Sequence, residues 1–388
     1  MLMKAVELRI PSVLFQGPGC LALMGNEVKR LGKKKPLVVT DKFLEKSGYV
    51  GKVGKFLEEA GCSFAVFSDI SGEPTDKEVY AGLEVYKQNG CDFLVAIGGG
   101  SPMDAAKAIG VLETNGGRIT DYMGLGKVTK PTPPMIAIPT TAGTGSEVTK
   151  VTIINDTANS VKMLISSPAI IPTVAVCDPE LTLSVPPSVT AATGIDAFCH
   201  AIEAYVSKRE QPMTDLVALK TIELVSGNLR RAWCNGDDLE ARSNMMYAAT
   251  LGGIAFNNSS VTLIHGMSRP IGAIFHIAHG ISNAVLLPMW TEYTYMAKPE
   301  KFAQVAKAMG EDISGLSVQQ AAKKALEVIV SLCNDVEIPP ISKLIPDKAE
   351  FEKQLPKMAN DAIASGSPGN NPRCVTAEKI IELYKKAY

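Results

Sequence analysis

No stretch of this 388-residue chain approaches the roughly eighteen consecutive apolar residues of a membrane-spanning helix. Net charge is absent too: 39 Lys and Arg against 40 Asp and Glu leave −1, which gives no electrostatic footprint for nucleic acid or an anionic membrane surface. The eight cysteines (20, 62, 91, 177, 199, 234, 333 and 374) form no C-x-x-C pair, so they read as reduced, mostly buried thiols of a cytoplasmic protein, Cys199 being a small packing residue. The first residues, MLMKAVELRIPSVLF, lack the apolar core and small-residue cleavage site of a signal peptide and alternate like a strand. Histidine is the scarcest chemically useful side chain. There are four, His200, His265, His276 and His279, all within residues 200–279.

That clustering carries the most information. His200 follows Asp196 by four residues in TGIDAFCHAIEAY, so on a helix the two share a face. A carboxylate oxygen and an imidazole nitrogen there can reach one cation at about 2.0–2.2 Å. This ligand mix suits iron or zinc better than calcium or magnesium. A lone histidine is more often a core or surface residue than a ligand, so a second source of ligands is needed. HGMSRPIGAIFHIAHG supplies one, with His265 and His279 fourteen residues apart. On one straight helix they would lie about 21 Å apart, too far to share an ion. Gly266, Pro270, Gly272 and Gly280 offer places for a bend that brings them together. Spacing alone leaves His276 a candidate as well.

The length favours two domains. Up to Pro187, β-rich runs (Leu37–Thr40, Phe64–Phe67, Phe93–Ile97, Met135–Ile138, Val174–Cys177) alternate with helical patterns such as Lys42–Ala60 and Asp76–Asn89. That alternation predicts a Rossmann-like α/β domain with a parallel sheet over residues 1–187. Residues 188–388 show helical periodicity without convincing strands, for example at Thr214–Trp233, Leu239–Phe256, Pro299–Met309, Val318–Cys333 and Thr376–Tyr388. They predict an all-α domain, with a hinge near Ser184–Ser188 and a surface loop at Ser365–Pro372.

Two glycine loops compete for a dinucleotide's phosphates. Gly17-Pro18-Gly19-Cys20-Leu21-Ala22 fits a loose G-x-G-x-x-A, with Asp41 nineteen residues after Ala22 at a strand end. Gly98-Gly99-Gly100-Ser101 follows the strand DFLVA and opens a helix at Pro102, which suits anion binding by free amides. A third loop, PTTAGTGSEVT, brings the hydroxyls of Thr140, Thr141, Thr144 and Ser146, and no Walker loop occurs.

Together GGGSPMD (98–104), IPTTAGTGSEVT (138–149), TAATGIDAFCHAIEAYVS (190–207) and HGMSRPIGAIFHIAHG (265–280) resemble the iron-containing (group III) alcohol dehydrogenases over essentially the whole length. The resemblance implies a metal, iron first and zinc second, held by Asp196, His200, His265 and His279, with His276 outside the ligand set. It implies NAD with its pyrophosphate on the loop of Gly98, Gly99 and Ser101, which demotes GPGCLA to a decoy. It also implies Asp41 at the adenine ribose, Lys162 on the cofactor, a small alcohol or aldehyde substrate, reaction in the cleft between domains, and a homodimer or larger assembly. Two positions depart from the family pattern. Arg269 stands where many members have a second histidine, and at neutral pH it cannot act as a base. Gly72-Glu73-Pro74 replaces the common Pro-Asn-Pro near the cofactor. Arg269 opens the alternative of an anionic substrate, an ω-hydroxy acid, its semialdehyde or a sulfonated aldehyde. A structural ion pair of Arg269 and a lyase of the dehydroquinate-synthase type are the other readings.

Overall fold

The computed structural model describes residues 5–159 and 161–388. By contacts the chain divides into two compact units. One comprises Arg9–Thr141 and Gly145–Leu183; the other comprises Ser184–Tyr388, Ala142–Thr144 and a segment ending at Leu8.

The first unit is α/β. Its strands are β1 (Val13–Gln16), β2 (Pro36–Val39), β3 (Ala65–Phe67), β4 (Phe93–Gly98), β5 (Gly124–Leu125), β6 (Met135–Pro139), β7 (Val151–Asp156), β8 (Val161–Ser166) and β9 (Val174–Cys177). Six form a wholly parallel sheet in the order β1-β9-β6-β4-β2-β3. Side chains alternate between its faces, with Leu37 and Val39 in one core and Val38 in the other, so the strands must be apolar throughout. The intervening helices are α1 (Met24–Leu31), α2 (Lys42–Lys46), α3 (Tyr49–Glu59), α4 (Asp76–Gln88) and α5 (Gly100–Asn115).

Three expectations are corrected in this unit. The alternation at the N-terminus yields a strand only at β1; residues 5–12 are irregular and residues 1–4 lie outside the described residues. The run Lys42–Ala60 is two helices, because Gly48 adopts φ 83° and ends the first. β7 and β8 form an antiparallel hairpin, joined by β5 into a second sheet, that the pattern of buried parallel strands did not reveal. β7 is buried on alternate residues only, so its signal is polar alternation rather than an apolar run.

The second unit is helical: α6 (Pro187–Val206), α7 (Pro212–Cys234), α8 (Leu239–Ser259), α9 (Leu263–Phe275), α10 (His279–Ala284), α11 (Leu287–Thr294), α12 (Pro299–Ala308), α13 (Val318–Asp335), α14 (Ile341–Leu344), α15 (Lys348–Ala364) and α16 (Ala377–Ala387). No strand occurs among its described residues. α6 starts at Pro187, its first-turn amide needing no partner. It is buried on every side from Gly194 to Val206 and packs against α7, α8 and α10. Small residues make that possible, since a Cβ on Gly194 would lie 2.4 Å from Leu229.

The loop expected at the surface over Ser365–Pro372 is only partly there: Ser365, Gly366 and Gly369 are exposed, but Ser367, Pro368 and Asn371 are buried. Asn371 accepts a 2.9 Å bond from the Trp290 indole. A Cβ on Gly266 would meet Pro368 at 2.6 Å, so this turn packs directly on α9. Glycine, serine and proline are turn formers by backbone preference, which says nothing about whether the turn is covered.

One buried cation anchors the α/β unit. Lys107, in the middle of α5, is 1% exposed. Its ammonium donates to Ser146 O (2.7 Å), Ser146 Oγ (2.9 Å), Thr149 Oγ1 (3.1 Å) and Val151 O (2.8 Å). Asp104, one turn earlier, accepts from Ser146 Oγ and from Ile153 N, both at 2.9 Å. Burial pushes the Lys107 pKa down to about 8, against the pull of Asp104 and Glu147. The pair ties the loop after β6, and the start of β7, to α5. Lys107→Met would leave four acceptors and a buried carboxylate without their cation, a loss of about 3–5 kcal/mol. Thermal unfolding of that variant should begin well below wild type, and an unchanged transition would contradict the anchoring role.

Candidate metal and cofactor sites

The second helical segment bends, but not where proline and glycine suggested. α9 runs through Pro270 and Gly272 and stops at Phe275, where His276 takes a left-handed conformation (φ 55°). The chain then turns through Ile277 and Ala278 into α10, which begins at His279. His276 is thus an exposed helix terminator. A close approach completes the bend: a Cβ on Gly280 would sit 2.9 Å from the carbonyl oxygen of Ala192, so α10 can lie against α6 only with glycine there.

This geometry gathers Asp196, His200, His265 and His279. One ligand atom of each lies within 4.8 Å of all the others. Asp196 Oδ1 is 3.9 Å from His200 Nε2, 3.8 Å from His265 Nε2 and 4.0 Å from His279 Nε2. The His200 ring stacks on Phe256 at 4.2 Å and on His265 at 4.6 Å. Three of the side chains are buried, whereas His279 is 35% exposed, so access comes from its side.

The electrostatics fit a cation. Burial raises the Asp196 carboxyl, but the imidazoles of His200, His279 and His265 and the Asn283 amide outweigh it and hold the group below its usual value. Burial drives His265 well below the ordinary imidazole range, so this ring is neutral. The Asp196 carboxylate and the three imidazoles therefore crowd round a single side-chain amide, that of Asn283. Asn283 Nδ2 contacts Asp196 Oδ1 (2.6 Å), His265 Nε2 (3.1 Å) and His279 Nε2 (3.2 Å), while its own Oδ1 is buried without a partner. An amide proton meets only part of what that cluster of lone pairs demands. One carboxylate and three imidazoles are a donor set for iron or zinc.

Sequence reasoning missed two neighbours, Asn283 and Glu203. Glu203 is fully buried on α6, and both its oxygens are engaged by α9. Its spacing from Asp196, seven residues, was a readable signal. Arg269, four residues after His265, donates to Ser367 Oγ at 3.0 Å. Burial lowers its pKa to about 10, with Glu203 the attracting charge. No carboxylate lies within salt-bridge distance of it among the described residues, so a direct structural ion pair is not what holds it.

On the α/β unit a separate cleft of about 530 Å³ is lined by Asp41, Phe43, Asp69, Gly72, Gly99 and Ser101, among others. It lies at the carboxyl ends of β2, β3 and β4. The chain goes outward from β2 to β3 and then returns to the other side of β2 at β4, which is the strand-order reversal where such sheets bind ligands. Gly98 (φ 151°) permits the turn, because a Cβ there would be 2.6 Å from Pro102. Gly99 caps α5, sixteen residues long, whose first amides lack intrahelical partners. Asp41 caps α2 with one oxygen, accepting from Leu44 N at 2.9 Å. Asp69 is already paired with Lys42 at 2.9 Å.

The other expected cofactor residues are more dispersed. Thr140 follows β6 and is buried, and Thr141 lies beside Gly99. Thr144 clusters with the helical unit. The Ser146 hydroxyl is committed to Asp104 and Lys107. Lys162 is paired with Glu73 at 2.5 Å, the residue that departs from the family's asparagine. The rival loop is filled from within: Gly19 N and Leu21 N donate to the Asp178 carboxylate at 3.2 and 3.0 Å. Two of that loop's amides thus already have a carboxylate partner within the chain.

Gly280→Ala should push α10 away from α6 and carry His279 out of reach of Asp196. Equilibrium dialysis with Zn²⁺ should then show weakened binding, and wild-type affinity would contradict the close-packing account.

Comparison with known proteins agrees with these features. The model for iron-containing alcohol dehydrogenases matches residues 11–179, and that for the family's C-terminal region matches residues 190–388. The chain is 42% identical to 1,3-propanediol dehydrogenase of Klebsiella pneumoniae over 381 residues, 98% of each chain. It is likewise 42% identical to the NAD-dependent methanol dehydrogenase of Bacillus methanolicus over 378 residues, covering 97% of this chain and 98% of the other. A crystal structure of a 1,3-propanediol oxidoreductase superposes with a TM-score of 0.96 at 41% identity, covering 99% of this chain and all of that one. The chain belongs to the iron-containing alcohol dehydrogenase family.

Proposed function

We propose that this protein is a metal- and NAD-dependent dehydrogenase that interconverts a primary alcohol and its aldehyde. The observation that carries the reading is the convergence of one carboxylate and three imidazoles within 4.8 Å, in a chain of this family. Asp196, His200, His265 and His279 would hold the metal, and Asp41, the Gly98–Ser101 loop, Thr140, Thr141, Thr144 and Lys162 would hold the dinucleotide, with Ser146 supporting its loop. When bound, the metal supplies Lewis acidity at the substrate oxygen and the nicotinamide exchanges the hydride. His279 keeps one side of the metal site open to substrate, while Phe256 and the His265 ring exclude water from His200. Arg269 adds fixed positive charge four residues from His265, where it can steer an oxygen of the substrate. The relatives named for propanediol and methanol favour a neutral alcohol over an anionic substrate or dehydroquinate-synthase-like chemistry. The reading includes a cytoplasmic homo-oligomer, supported by eight cysteines that form no disulfide and by exposed Met213 and Leu216. No helix among the described residues is long and apolar enough to cross a membrane.

Reconstitution with Fe²⁺ under anaerobic conditions, followed by NADH oxidation with a panel of neutral and acidic aldehydes, tests this. One metal per chain and turnover of neutral aldehydes are expected. His200→Ala should lose both metal and activity, whereas His276→Ala should keep its metal. Full occupancy with retained activity in His200→Ala would overturn the assignment.

Cofactor choice follows from Asp41. A 2′-phosphate beside its carboxylate would meet like charge, about 1–4 kcal/mol at 4 Å. Asp41→Gly should raise relative efficiency with NADP roughly tenfold or more, and its lost cap costs little because glycine is tolerated there. A wild type that already prefers NADP would contradict this.

A further inference from the structure

Glu203 touches neither the open side of the metal site nor the cleft of the α/β unit. It nevertheless faces the ligand cluster from α6, three residues after His200 and seven after Asp196, hence on the same face of the helix. Each of its oxygens has a distinct task. Oε1 accepts from Thr262 Oγ1 and from Ile264 N, both at 2.7 Å, and so satisfies an amide of the first turn of α9. Oε2 is bonded to Nδ1 of His265. The opposite nitrogen of that ring, Nε2, points at Asp196 Oδ1. A carboxylate has only acceptors, so it requires the ring proton on Nδ1 and leaves the Nε2 lone pair free.

We propose that Glu203 is a positioning residue: it fixes His265 as the Nδ1–H tautomer, so that Nε2 is available to a metal at the Asp196, His200, His265 and His279 cluster. The inference rests on the metal reading above. The two roles of Glu203 can be separated by one substitution. In Glu203→Gln the Ile264 amide can be satisfied only by the Gln oxygen, because the NH2 group would meet it donor to donor. The NH2 group must therefore face His265 Nδ1 and donate to it, which moves the ring proton to Nε2 and puts a hydrogen where the metal would bind. The α9 cap survives; the tautomer is reversed. Outer carboxylates on ligating histidines are typically worth 10–100-fold in metal affinity.

The test uses the intact chain. In metal-free wild type labelled with ¹⁵N-histidine, with only four imidazoles to assign, His265 should give the Nδ1–H pattern at pH 8; an Nε2–H pattern there overturns the proposal without any variant. Glu203→Gln should invert that pattern. It should also weaken Zn²⁺ retention 10–100-fold in competition with a chelator, and shrink the rise in Tm on adding metal, with the metal-free Tm nearly unchanged. A variant that holds zinc as tightly as wild type overturns the proposal, as does one whose metal-free and metal-loaded Tm fall equally with the tautomer unmoved. If wild type binds no metal while its His265 shows Nδ1–H, the metal reading has failed and the Glu203–His265 positioning has not.

Discussion

Four electron-pair acceptors converging in a buried space repel one another unless a positive charge lies among them, and much of the helical unit is arranged to impose that convergence. α6 brings Asp196 and His200 on one face, already in line. α9 and α10 must be brought to it, and glycines allow two of the close approaches: Gly280 of α10 against the backbone of Ala192 on α6, and Gly266 of α9 against Pro368 in the turn behind it. Glu203 fastens the start of α9 and Asn283 bridges three of the ligating positions from α10. The surrounding apolar cluster excludes water and so strengthens the electrostatic demand for a cation.

The α/β unit presents the opposite electrostatics at its cleft, where α5 begins. Free amides at the start of α5 provide weak positive potential without a formal charge. A buried full cation, Lys107, is turned to internal acceptors and used to fix the loop beside them. Asp178 illustrates the same principle in reverse, since its carboxylate occupies two amides of the look-alike motif near Gly19.

Glu73 and Arg269, the positions where the chain departs from its family, differ in their surroundings: Glu73 lies against a lysine and Arg269 against a serine. Glu73 pairs with Lys162, so the departure sets a carboxylate against that ammonium. Arg269 donates to a serine of the buried turn and feels Glu203 from beyond ion-pair distance.

The sequence by itself determined the parallel α/β sheet followed by helices, the identity of the four clustered metal-site candidates and the glycine loop before α5. These follow from local periodicity, helical spacing and four long ordered motifs, all of which survive projection onto one dimension. Tertiary structure decided the rest. The β7–β8 hairpin was hidden because half-buried strands alternate rather than run apolar. The bend in HGMSRPIGAIFHIAHG falls at His276 because burial of Pro270 and Gly272 within packed helices overrides their tendency to break them. The Ser367–Asn371 turn is partly interior because α9 and Trp290 cover it, and turn propensity is blind to cover. Glu203 and Asn283 gained their partners only when three helices met: the spacing of Glu203 from Asp196 marks its face of α6, but hydrogen bonds between residues 62 or 87 positions apart leave no mark in the sequence.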